Sequence, residues 1–287
     1  VNKLLKHLIL IDGLSILYRA YYAFPCLSNS KGEPTGAIFG FINILKNIIN
    51  QYKPSHIAVI FDSYSKTFRN KIFDDYKCNR LPMPNHMRIQ IEPLYEIILA
   101  MGLKIIQVNG VEADDVIGTL VHKWCNKLDI FILINSNDKD MAQLVKPNVN
   151  IIDNTTKTIL GPDDIKKKYG VAPELIVDLL AIMGDSSDNI PGIPKIGKKT
   201  ALILIKELGN IESIYSNINK ISFMSFRGAK NTAIRLNKYR EIAFLSYKLA
   251  KIKTDVIVNV EYEDLIINHI NIIKLKKLFN RYEIKSF

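Results

Sequence analysis

Apolar runs in the first half of the chain end repeatedly in aspartate. His7-Leu-Ile-Leu-Ile-Asp12, Ile57-Ala-Val-Ile-Phe-Asp62 and Ile130-Phe-Ile-Leu-Ile-Asn-Ser-Asn-Asp138-Lys-Asp140 share this pattern, and Lys104-Ile-Ile-Gln-Val108 leads on to Glu112-Ala-Asp114-Asp115. Short continuous apolar runs alternating with helical stretches predict parallel strands covered on both faces. In such sheets ligands lie off the carboxyl ends of the strands. Carboxylates gathered there repel one another unless cations sit between them. The pattern therefore predicts divalent metal ions at the rim of an α/β sheet.

Helical spacing covers Ser15 to Ala23 and Thr35 to Gln51, the second placing Ile38, Phe41, Ile42, Leu45, Ile48 and Ile49 on one face before Lys53-Pro54 stops it. Ser63 to His86 is polar and basic, with Arg69, Lys71, Lys77 and Arg80, and Leu81-Pro-Met-Pro84 breaks regular structure within it. A segment of that length without a core-facing stripe predicts a functional or mobile element. The helix from Ala113 to Trp124 buries Val116, Ile117, Leu120, Val121 and Trp124 and begins at the acidic triplet. Helix capping accounts for one or two acids there, at roughly 0.3–1 kcal/mol each, but not for three in four positions. Val149 to Asp153 and Thr158 to Leu160, flanking Asn154-Thr-Thr-Lys157, read as a hairpin. From Pro162 onward only helices are predicted. The shift near residue 170 marks a candidate boundary between an α/β catalytic domain, 1–170, and a helical domain, 171–287, packed directly on the first.

With 287 residues, 48% of them hydrophobic, the chain can bury one large core or two smaller ones. The net charge of +11 gains meaning if nine of the 28 acids share one pocket, because the remaining surface is then more basic still. A basic surface around an acidic pocket suits a polyanion such as DNA or RNA; lysine drift in an AT-rich genome would also raise the charge. Cys26, Cys78 and Cys125 form no CxxC pair, so neither a disulfide framework nor a zinc site is expected, and a reducing cytosol is. The five histidines are scattered, and none is assigned to metal. No apolar stretch reaches membrane-spanning length. The first apolar run is a strand rather than a signal peptide, and the opening Val1 implies a missing initiator residue.

The helix from Glu174 to Met183 runs into Gly184-Asp185-Ser-Ser-Asp188-Asn-Ile-Pro-Gly192-Ile-Pro-Lys-Ile-Gly197-Lys198-Lys199-Thr200-Ala. Asp185 and Asp188 stand three apart, on one face if the turn is helical. Gly192 and Gly197 let the backbone approach a ligand closely, and the helix beginning near Lys198 offers unpaired N–H groups. With Lys195, Lys198 and Lys199 these donors form a site for backbone phosphate.

Taken in order, these motifs resemble the bacterial 5′-nuclease family, which comprises the 5′→3′ exonuclease domain of DNA polymerase I and its flap-endonuclease relatives. The resemblance runs from about Leu8 to Phe287 and includes Ile11-Asp-Gly13, Tyr18-Arg19-Ala20, Phe61-Asp62, Phe68-Arg69, Tyr76-Lys77-Cys-Asn-Arg80 and Glu112-Ala-Asp-Asp115. It continues through Asn137-Asp-Lys-Asp-Met141, Met183-Gly-Asp-Ser-Ser-Asp-Asn189, the Gly192–Ala201 string and Leu278-Phe-Asn-Arg-Tyr282. It implies a PIN-like fold: a mostly parallel central sheet flanked by helices, an arch at about 64–90, and a C-terminal helical domain with a helix-three-turn-helix at about 184–206.

By the same resemblance, Asp12, Asp62, Glu112, Asp114 and Asp115 match a first metal site, and Asp138, Asp140, Asp185 and Asp188 a second. Two or more Mg²⁺ or Mn²⁺ ions are implied, with K⁺ a candidate for the Gly192–Gly197 turn. Lys77 and Arg80 match the arch cations, Tyr76 a residue stacking on a terminal base, and Arg19 a basic residue near the scissile phosphate. Cys78 replaces the usual glycine or alanine. The implied activity is metal-dependent hydrolysis at 5′ ends, nicks and flaps of DNA, and of RNA primers, by a cytoplasmic monomer. No polymerase segment is present, which leaves open a stand-alone protein or an excised domain. The alternatives are a catalytically weak flap-binding module, disfavoured by the full acid set and Lys77, and a PIN-type ribonuclease, disfavoured by the Gly192–Ala201 string.

Overall fold

In a computed structural model, residues 6–127 and 129–284 are described. The far ends of the family resemblance, at 285–287, lie outside them, as does Val1. The strands are β1 (Lys6–Asp12), β2 (His56–Ile60), β3 (Lys104–Ile106), β4 (Ile130–Asn135), β5 (Val149–Asp153) and β6 (Thr158–Leu160). They form a six-stranded sheet in the order β3-β2-β1-β4-β5-β6. All neighbours are parallel except the β5–β6 hairpin. Chain order reverses between β1 and β4, which opens a crevice at their carboxyl ends. The registers Asp12↔Ile60 and Ile11↔Asn135 bring the strand ends level, so the acids that follow β1, β2 and β4 share one rim.

The first half carries α1 (Gly13–Ala23), α2 (Gly36–Tyr52), α3 (Phe68–Ile72), α4 (Asn85–Arg88), α5 (Ile91–Ala100) and α6 (Ala113–Trp124). The second half is helical: α7 (Pro162–Tyr169), α8 (Ile176–Met183), α9 (Lys198–Leu208), α10 (Ile211–Ser216), α11 (Ile218–Ile221), α12 (Ala229–Lys238), α13 (Arg240–Ala250) and α14 (Ile272–Tyr282). Alternation along β1 sends Leu8 and Leu10 to one face, Ile9 and Ile11 to the other. The first face packs on α6 and continues without a break into α8, α9 and α13; the second packs on α1, α2, α5 and α14. The helical half thus shares a core with the sheet. Among the described residues no helix is long and apolar enough to cross a membrane.

The segment expected to lack core contacts has them. Arg69, Tyr76 and Met87 are buried, and the chain from Asp75 to Arg80 lies against the loop that follows α8. Backbone Lys77 N donates to Asp188 O at 2.9 Å, Asn79 Nδ2 to Ser186 O at 2.5 Å, and Asn189 Nδ2 to Asp75 O at 2.7 Å. Lys77 and Asn189 both adopt the left-handed conformation, with φ of 58° and 55°. The interlocked pair of turns holds them there.

Candidate active site

Each acid is placed by the element it terminates. Asp12 ends β1 and caps α1, its Oδ1 accepting from Ser15 N at 3.0 Å and its Oδ2 from Ser136 Oγ at 2.7 Å. Asp62 follows β2 and accepts from Ala113 N at 2.5 Å, joining that strand to the start of α6. Glu112 is the N-cap of α6, with Asp114 and Asp115 in its first turn. Asp138 accepts from Asp140 N at 2.9 Å at the start of a short 3₁₀ turn after β4. Asp185 and Ile190 pair through two backbone hydrogen bonds of 2.9 and 2.8 Å, closing a loop that carries Asp185 and Asp188.

These placements produce two acidic groups. Carboxylate oxygens of Asp140, Asp185 and Asp188 lie within 4.8 Å of one another, and all three residues are buried. Asp140 Oδ1 is buried with no hydrogen-bond partner. Asp12, Asp62 and Asp114 form the other group. Burial, then neighbouring charge, pushes Asp12 up to about 6 and Asp140 up to about 8, and Asp114 well above the carboxylate range. The charge of Asp138 raises Asp12, Asp114 and Asp140 alike, so Asp138 acts on both groups. Buried carboxylates with raised proton affinity, one oxygen orphaned, fit hard divalent cations.

Cations of the chain itself cover the opposite edge. Lys77 Nζ stands 2.9 Å from Glu112 Oε2 and 3.6 Å from Asp188 Oδ2, and Arg80 pairs with Asp188 Oδ1. Burial opposes ionisation of Asp188, yet Lys77 and Arg80 hold it below the usual range. Lys139 pairs with Asp185 at 2.6 Å.

Three residues stand apart from the arrangement that the resemblance implies. Tyr76 is not a free stacking ring: it is 4% exposed, and its hydroxyl donates to Glu112 and Asp188 at 3.2 Å each. Asp115 does not face the acidic groups. It is fully buried, both oxygens gripped by Arg69 at 2.7 and 2.8 Å, with Lys253 N donating to Oδ1 at 2.8 Å. Arg19 donates to Asn154 O at 2.6 Å, beside a groove of about 570 Å³ between α2 and the β5–β6 turn, rather than to the acids.

The segment read as a phosphate grip is a tight turn that leads into α9. Gly192 has φ 59°, and a Cβ there would fall 2.2 Å from Gly184 N, so only glycine fits the turn. Gly197 is the N-cap of α9, no side chain caps that helix, and Lys195, Lys198 and Lys199 are exposed beside it.

Residues 7–170 match the family model for the 5′-3′ exonuclease N-terminal resolvase-like domain, and residues 171–272 that for the 5′-3′ exonuclease C-terminal SAM fold. The chain belongs to the 5′-3′ exonuclease family. It is 47% identical over 278 residues to a 5′-3′ exonuclease of Buchnera aphidicola subsp. Schizaphis graminum, covering 96% of each chain. It is 48% identical to DNA polymerase I of Pseudomonas aeruginosa over 90% of this chain, but only 28% of that longer one. A structure of the bacteriophage T5 flap endonuclease in a pseudo-enzyme-product complex with DNA and metal ions shares the fold, with a TM-score of 0.69 and 23% identity, over 97% of this chain and all of that one.

In this exonuclease, sequence patterns missed the residues that hold the acids in place. Ser136 bridges Asp12 and the amide of Asp138, at 2.7 and 3.0 Å. Its position between β4 and Asp138 was the available signal. Arg69 stood as one charge in a polar, basic run without a core-facing stripe, and it is 2% exposed. Lys139, flanked by two aspartates, had been given no role, and it pairs with Asp185 at 2.6 Å.

Proposed function

We propose that the chain is a metal-dependent 5′→3′ exonuclease and flap endonuclease, hydrolysing phosphodiester bonds at 5′ ends, nicks and flaps of duplex DNA and at RNA primers. The close approach of Asp140, Asp185 and Asp188, with Asp140 Oδ1 buried and unpaired, carries this reading. Asp12, Asp62, Asp114 and Asp138 would hold one Mg²⁺ or Mn²⁺; Asp138, Asp140, Asp185 and Asp188 would hold another, with Glu112 at their edge. When bound, the ions lower the pKa of a coordinated water and neutralise charge on the attacking and leaving oxygens.

The chain's own groups bind and orient the substrate. Lys195, Lys198, Lys199 and the N–H groups at the start of α9 grip phosphates of the duplex. Lys77 and Arg80, now paired with Glu112 and Asp188, exchange those carboxylates for the scissile phosphate, where they stabilise charge developing in the transition state. That exchange also releases the hydroxyl contacts of Tyr76 and allows its ring to reach a base; such stacking contributes roughly 1–3 kcal/mol.

A 5′-labelled flap duplex with Mg²⁺ provides the test. Asp138→Ala and Asp12→Ala should each abolish cleavage while duplex binding persists. Equal cleavage by Asp138→Ala and the parent would defeat the proposal.

A further inference from the structure

The first turn of the basic segment buries a guanidinium completely. Arg69, on α3, donates Nε to Leu249 O at 2.9 Å and Nη2 to Lys251 O at 2.9 Å. Its remaining donors close a two-point fork on Asp115, and Nη1 also reaches Glu112 Oε2 at 3.3 Å. The planar fork matches a carboxylate and leaves little freedom to either partner. The Phe68 ring lies 4.6 Å from the guanidinium carbon and covers it.

Four parts of the molecule meet at this one side chain: the base of the 64–90 segment, the N-terminus of α6, the C-terminus of α13 and the strand-like chain that follows it. Among the described residues, every hydrogen bond to the Glu112 carboxylate falls on Oε2, from Arg69, Tyr76 and Lys77. That arrangement leaves Oε1 outside these contacts. Asp115, by contrast, has both oxygens occupied, and a metal ion placed on it would confront the Arg69 charge.

From this geometry we infer that Arg69 and Asp115 are a positioning pair, which aims Glu112 and seats the Tyr76–Arg80 segment, and that Asp115 is not a metal ligand. The inference rests on the nuclease reading above and adds two roles to it. Asp115 locks the guanidinium; the locked guanidinium orients Glu112. Tyr76 and Lys77 then find Glu112 Oε2 in a fixed place.

Single-turnover cleavage of a flap duplex, flap affinity, and the number of Mn²⁺ ions bound without DNA, read by calorimetry, test it in the full chain. Arg69→Lys and Asp115→Asn should each slow cleavage by roughly 10–100-fold, the loss usual for groups that orient a metal ligand. The double variant should be no slower than the worse single one, because both act through one path. The Mn²⁺ count should match the parent, whereas flap affinity should fall with the loss of the seated Tyr76–Arg80 segment. Loss of one bound Mn²⁺ in Asp115→Asn alone, additive rate losses, or parental rates would overturn the inference. If one variant does not fold, the other decides; failure of both to fold would also overturn it, since the pair would then serve the fold and not Glu112. A parent that leaves the flap uncut would instead overturn the nuclease reading.

Discussion

At Asp140 a carboxylate is buried beside Asp138 with one oxygen unpartnered, and its pKa rises to about 8, from burial first and Asp138 second. In the unfolded chain the same group titrates near 3.8. Between those values the folded, metal-free protein holds a proton that the unfolded chain has lost. Its contribution to stability is therefore complete at low pH and disappears as pH rises through about 8. Asp12 acts in the same direction and loses its contribution through about 6. Asp188, held low by Lys77 and Arg80, acts in the opposite direction, but only in more acidic solution. Urea denaturation of the metal-free protein should therefore give midpoints that fall from about pH 5 to about pH 9. Asp140→Asn should flatten that fall, and saturating Mg²⁺ should flatten it in the parent, because a bound cation replaces the proton. A midpoint that rises with pH in the parent would contradict the assignment of Asp140 as a buried, cation-seeking group.

The elements themselves were largely legible, for a physical reason: each of β1, β2 and β4 is a continuous apolar run, and parallel pairing puts all their acidic ends on one rim whatever the details of register. The Asn154-Thr-Thr-Lys157 turn likewise declared the β5–β6 hairpin. What the pattern could not show was partnership across long separations. Arg69 finds Asp115 46 positions away, and Tyr76 finds Asp188 112 positions away, so a run rich in polar residues showed no core-facing stripe. The Gly192–Ala201 element is intermediate. Its two glycines read alike in sequence, yet the fold separates them. Gly192, at φ 59° and packed on Gly184, should not accept a side chain: Gly192→Ala is expected to cost about 1–3 kcal/mol. Gly197 has no atom within 4 Å of a built Cβ, so Gly197→Ala should change stability by no more than roughly 1 kcal/mol. Any loss of duplex affinity in Gly197→Ala then reports DNA backbone at that spot. Urea midpoints and fluorescence anisotropy on the two variants distinguish these outcomes, and equal destabilisation by both would show that the turn is not built as described.

Across the whole molecule, one core links the acidic rim to the lysine-bearing turn before α9. The cluster that contains Leu8 and Ile134 under the rim also contains Ala201, Leu204 and Ile205 of α9, so the turn that carries Lys195, Lys198 and Lys199 is packed on the same core as the acids. If the duplex binds at that turn, as proposed, contacts there would help to select which bond is cut at the rim. The division of charge serves the same end. The buried acids gather at the rim, whereas Lys195, Lys198 and Lys199 are exposed and unpaired with any acid among the described residues, on a chain of net charge +11. Binding to duplex should therefore weaken steeply with salt, as counterions released from DNA return. Replacing these three lysines by alanine should make the plot of log affinity against log salt shallower by roughly one unit per phosphate contact removed. Stability should stay at the parental value, because none of the three side chains is buried. Measured on a flap duplex in Ca²⁺ or without metal, so that cleavage does not intervene, an unchanged slope would place the duplex elsewhere on the molecule. Loss of cleavage with a changed slope but a normal Mn²⁺ count would show that the two ends of the core act as one device.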